Sequence, residues 1–182
     1  MEEEDWPEVA VEQLKVALAI VAALAIDGWI QCKGECVKPE PKRFETVWSA
    51  RQILKRWQGS GAEFFAAVPI GNSWGNIQPM AAASVTSDGD LWAGAGATYF
   101  RNFGKDDRNF VEYTMMPGVY KQGDGHYLGD RPVLRTAIGI GRRLKNGNEV
   151  SFFIDHRSNG FSGNGPNPGL ETIGFNYYIT TK

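Results

Sequence analysis

From Ala62 onward the chain alternates. Apolar residues and polar or small ones change places every second position in seven runs, at roughly 62–70, 77–87, 91–103, 109–121, 132–144, 149–158 and 170–180. A period of two is what a β-strand requires, because its successive side chains point to opposite faces. Each run is about 9 to 13 residues long, enough for a tilted strand to cross a bilayer. The separators GNSWGN, SDGD, GKDDR, QGDGHYLGD, KNGN and NGFSGNGPNPG are dense in Gly, Asn and Asp, the residues of turns. The pattern predicts an antiparallel, up-and-down sheet.

The two faces differ in kind. One holds Leu91, Ala93, Ala95, Ala97 and Tyr99, then Val111, Tyr113 and Met115, then Leu134, Ile138 and Ile140, then Val150, Phe152 and Ile154. The other holds Gly94, Gly96, Glu112, Arg135, Gly139, Gly141, Arg143, Glu149, Ser151, Asp155, Arg157 and Asn176. A soluble, lipocalin-like barrel would turn the first face inward and leave rows of glycine in water, where they support a strand poorly. A small membrane barrel turns the first face to lipid and packs the glycines and charges into a narrow interior. The glycines favour the membrane barrel. Single-chain bacterial barrels have even strand counts, so with seven visible strands an eighth either lies in 28–60 or has been lost.

Ahead of the alternating runs the pattern changes. In FETVWSARQILKRW, Phe44, Val47, Trp48 and Leu54 fall near one face of a 3.6-residue period, which predicts a helix. KVALAIVAALA resembles the apolar core of an export signal with its small-residue end, yet it follows the acidic MEEEDWPEVAVEQLK rather than a basic segment. It is also short of the ~20 apolar residues a spanning helix needs. An altered export signal, a membrane-associated helix and a helix packed on the fold all fit, the first two better. The expected organisation is an N-terminal helical, membrane-directed segment and linker at 1–58, and a β-barrel domain at 59–182, of the eight-stranded type.

Composition narrows the partners. A net charge of −2 over 182 residues gives no dominant basic surface, so no nucleic-acid partner is expected. Cys32 and Cys36 cannot form a disulfide framework, and two Cys with two His do not readily complete a zinc site. No metal and no cofactor is expected. Gly94-Ala95-Gly96 and Gly139-Ile140-Gly141 lie inside strands, where they serve packing rather than phosphate binding. Lys121 and Arg131 flank the loop containing His126 and are candidate contacts for anionic groups.

Three polar residues break the greasy face near the end of the chain. Val150, Phe152 and Ile154 continue in twos to His156 and Ser158, while Ile179, Tyr177, Phe175 and Ile173 lead back to Glu171. Two residues along a strand separate side chains by ~6.5–7 Å, within reach of an imidazole and a hydroxyl. A carboxylate on the next strand would hold the other ring nitrogen. These are the parts for nucleophilic acyl transfer. Asn159, Gly160 and the loop beyond offer donors for an oxyanion. A lone His or Ser at a strand end usually has no chemical role; three complementary groups on one face are the argument for one.

HRSNG followed by NPGLE resembles the motif of the lipid A 3-O-deacylase family of outer-membrane β-barrels, His-x-Ser-Asn on the penultimate strand and Glu opening the last. The resemblance covers 62–182 in architecture and 148–182 in motif. It implies a serine esterase domain with His156 as general base, Ser158 as nucleophile and Glu171 as orienting acid. It further implies Asn159 and Gly160 as oxyanion donors, and Asn167 as the loop asparagine supporting that hole. The implied substrate is lipid A of lipopolysaccharide, with membrane lipid around the protein and the site facing the outer leaflet of an outer membrane. Catalytic residues on the greasy face then make sense, because the scissile ester lies in the membrane. An outer-membrane phospholipase is the enzyme alternative, although that family pairs its histidine with asparagine, has a larger barrel and needs calcium. A non-catalytic structural or lipid-binding barrel is the other. The oligomeric state is left open.

Overall fold

The computed structural model describes residues 39–55, 58–129, 132–159 and 168–180. Ten strands occur there: β1 (Pro39–Glu40), β2 (Thr46–Lys55), β3 (Gln58–Pro69), β4 (Ser73–Trp74), β5 (Ile77–Thr86), β6 (Leu91–Phe103), β7 (Asn109–Lys121), β8 (Pro132–Arg143), β9 (Glu149–Ser158) and β10 (Leu170–Ile179). Eight of them form one antiparallel ring in the order β5-β3-β2-β10-β9-β8-β7-β6, closed by the pairing of β6 with β5. The two-residue strands β1 and β4 pair with each other beside β5.

The eighth strand is β2. It seams the barrel by pairing with β10 on one side and β3 on the other. The helix expected over 44–57 is therefore corrected to a strand over Thr46–Lys55, and the barrel begins ahead of the boundary at 59. The reason is the lining of a narrow barrel. Val47, Ser49, Arg51 and Ile53 point inward, and Trp48, Ala50 and Gln52 outward. Apolar, polar and charged residues share the inward file, so the period-2 contrast vanishes and chance helical spacing stands out. Residues 1–38, with the expected export-type or membrane-directed helix and Cys32 and Cys36, lie outside the described residues.

The remaining strands carry the faces expected of them. Phe175 is 66% exposed, Ile138 63% and Val119 63%, and Phe64, Ile140, Phe152 and Ile154 are exposed around them. Such a continuous apolar wall suits lipid and not water. Trp48, Trp74, Phe103 and Tyr177 are exposed near the end where β2 starts and β10 finishes, the placement of an interfacial aromatic belt.

Inside, glycine makes room for rings. A Cβ at Gly94 or Gly118 would come within 2.6 Å of the Trp92 indole. Near the chain ends, Phe44, Phe100, Phe110 and Tyr178 pack edge to face with centroids 5.0–6.2 Å apart. Arg43 lies over two of these rings and grips Glu149 through two 3.0 Å bonds. Beside these rings Glu112 accepts from Ser151, Asn176 and Tyr178.

Candidate functional site in the lipid-facing wall

The site is built by the alternation of β9. Asp155 and Arg157 point into the lumen, and His156 points out with Ile154 and Phe152. The inward pair is locked. Glu63 of β3 takes Arg135 Nη2 at 2.7 and 2.9 Å and Arg157 at 3.0 and 3.2 Å. Asp155 meets Arg51 Nη1 at 3.3 Å and Arg135 Nε at 3.1 Å, and accepts Thr172 Oγ1 at 3.1 Å. All are buried. A lattice joining β2, β3, β8, β9 and β10 thus backs the strand that carries His156 and Ser158. Removing one partner of such a buried pair leaves an uncompensated charge, which costs far more than the pair itself contributes.

On the outer face the β9–β10 register sets Glu171 directly across from His156, Ile173 across from Ile154 and Phe175 across from Phe152. Glu171 Oε1 lies 3.2 Å from His156 Nδ1. A neutral imidazole in that pairing carries its proton on Nδ1 and donates it to the carboxylate, which leaves the Nε2 lone pair as a base. The imidazole is 42% exposed and the Glu171 side chain 29%.

Ser158 follows two residues after His156 at the end of β9, 8% exposed, with Leu134 of β8 at its register position. Among the described residues no hydrogen bond joins its hydroxyl to the imidazole. Such bonds are often long in an empty site and tighten with substrate. Asn159 is buried beside it. Gly160 and Asn167 lie outside the described residues, as does Arg131. Lys121 is exposed at the end of β7, and His126 contributes its carbonyl to the Tyr120 hydroxyl at 2.7 Å.

Two participants went unread in the sequence. Glu63 stands 72 and 94 residues from its two arginines, and no local pattern announces such a pairing. Gly169 packs against the His156 ring, where a Cβ would fall 3.2 Å from Nε2 and 3.4 Å from Nδ1. A glycine in a Gly-rich loop carries no mark of that contact.

The closed eight-stranded ring and its apolar outer wall define a small membrane β-barrel, here with an acid–base pair set into the lipid-facing surface. The family model described as Lipid A 3-O-deacylase (PagL) matches residues 45–180, and the chain belongs to that family. The match also takes in β2, the strand that the hydrophobic spacing disguised. A solved structure described as the crystal structure of the outer membrane enzyme PagL is similar in fold. Its TM-score is 0.56 at 21% identity, covering 74% of this chain and 99% of that one. The outer membrane protein Ail of Yersinia pestis, in a phospholipid nanodisc, aligns at a TM-score of 0.41 and 11% identity, over 75% of this chain and 99% of that one. No argument rests on that second likeness. No curated relative matches the chain.

Proposed function

We propose that the protein is a serine esterase of the outer membrane that hydrolyses the 3-O-linked acyl ester of lipid A. The observation that carries this reading is the His156–Glu171 pair, 3.2 Å apart, standing on the same outward face as Ser158 in an otherwise apolar wall. Family membership supplies the substrate class. An ester at the top of the acyl region meets such a wall without leaving the bilayer.

In the proposed reaction Ser158 Oγ attacks the ester carbonyl carbon and its proton passes to His156 Nε2. Glu171 orients the ring and stabilises the imidazolium. Asn159, Gly160 and Asn167 are the proposed donors to the oxyanion. Collapse expels the sugar 3-hydroxyl, which takes the proton from Nε2. Water, deprotonated by the same nitrogen, then attacks the acyl-enzyme carbonyl; collapse releases the fatty acid, and Nε2 returns the proton to Ser158 Oγ. Each proton moves through one atom of one ring, so the ring's orientation is the critical geometry. No residue in this scheme needs a cofactor or a metal.

A fluorophosphonate probe tests the nucleophile. It is expected to label the wild type in detergent or lipid at Ser158 and to leave Ser158→Ala unlabelled. A folded wild-type protein that is not labelled, or is labelled elsewhere, overturns the assignment.

A further inference from the structure

Gly169 occupies the ground opposite Ser158. The β9–β10 register pairs Leu170 with Arg157 and Glu171 with His156. Continued one step, it sets Gly169 across from Ser158, on the outward face that carries Glu171 two residues on. Gly169 is exposed, yet a Cβ there would lie well inside van der Waals contact of His156 Cε1, with Nε2 and Nδ1 at 3.2 and 3.4 Å. It is not among the positive-φ glycines. What the position demands is room, not a left-handed backbone.

We infer that Gly169 is a positioning residue for the general base. Its missing side chain lets the His156 ring lie against the start of β10, with Nδ1 on Glu171 and Nε2 left for the serine proton. The inference rests on the reading of His156 as that base. A half-exposed imidazole on a broad sp³–sp² torsion is held poorly by one hydrogen bond. The Gly169 backbone supplies the second wall, against Cε1. Between them, one residue fixes the ring by charge and the other by shape.

The Gly169→Ala variant tests this. The backbone of β10 is held by ladders to β9 and β2, whereas the ring can swing outward. The ring therefore moves and the barrel still folds. Displacing a catalytic group by about an ångström is expected to lower kcat on the order of 10²-fold, with KM unchanged. On a Glu171→Ala background the same substitution should add less than about twofold, because both act through one ring. Pro168→Ala, one residue earlier on the same exposed approach, should leave kcat unchanged. A readout independent of turnover is ¹⁵N-histidine NMR of the full chain in detergent. With only two histidines, His126→Gln assigns the spectrum. The wild type should show His156 protonated on Nδ1, and Gly169→Ala should shift the proton toward Nε2. Overturning results are an unchanged tautomer in Gly169→Ala, wild-type kcat, or a loss that adds fully to that of Glu171→Ala. If the wild type hydrolyses no lipid A ester, the proposed activity fails while the NMR comparison still decides this inference.

Discussion

A histidine facing hydrocarbon must be held in a useful orientation by groups that also belong on that face, and Glu171 is the group with the charge to do it. The sequence made this legible, because His156, Ser158 and Glu171 interrupt files that otherwise run through Phe152, Ile154, Ile173 and Phe175. Gly169 was not legible, since an absent side chain acquires meaning only once a ring lies against it. Residues that exchange a proton or bond act as a unit. Ser158→Ala and His156→Ala are therefore each expected to remove deacylation, and the double variant to be little worse than either. Glu171→Ala should retain more activity, because the role proposed for the carboxylate is to orient the base without bonding to substrate. A rate assay on lipid A in mixed micelles checks both rankings. Equal losses for all three single variants would mean that Glu171 does more than orient.

Strands rather than residues decide where the chemistry sits. Seven of the eight barrel strands announced themselves by alternation. β2 did not, because its inward file mixes Val47, Ser49, Arg51 and Ile53. Its outward file is nonetheless a lipid face: Ala50 is exposed and registers with Phe175 on β10 and Phe64 on β3. Ala50→Arg should thus cost ~2–4 kcal/mol if it lies near the bilayer midplane, whereas on a solvated linker helix it would be tolerated. Across the lumen, Glu63→Ala removes the carboxylate that Arg135 and Arg157 share and leaves Asp155 alone to face three buried arginines, a loss of about 3–5 kcal/mol. Asp106→Ala breaks an exposed pair with Arg108 and a long bond from the Arg108 backbone N–H, and should cost about 0–1 kcal/mol. Urea unfolding in detergent, followed by tryptophan fluorescence, measures all three. Near-equal effects of Glu63→Ala and Asp106→Ala would remove the lumen lattice as the support behind β9.

At the scale of the whole molecule, orientation joins fold to function. The beginning of β2 and the end of β10 lie at one rim, with the short turns 104–108 and 144–148. Ser158, Glu171 and the short turn 87–90 lie at the other, where the chain between β7 and β8 (122–131) and between β9 and β10 (159–169) is longest. Bacterial barrels keep short turns on the periplasmic side, and on that rule the proposed site is expected in the outer leaflet. In a background with Cys32 and Cys36 replaced by serine, Asp124→Cys should react with an impermeant maleimide on intact cells. Asp106→Cys should react only after lysis. The reverse pattern would place the site on the wrong leaflet.

The most direct test is the mass profile of lipid A from cells expressing the full chain. Expression of the wild type should remove one ester-linked acyl chain, and the released fatty acid should appear in equal amount. Expression of Ser158→Ala, folded and inserted to the same level, should leave the profile of empty cells. An unchanged profile with the wild type, or the same mass loss with Ser158→Ala, would contradict the central claim that Ser158 in the lipid-facing wall carries this hydrolysis.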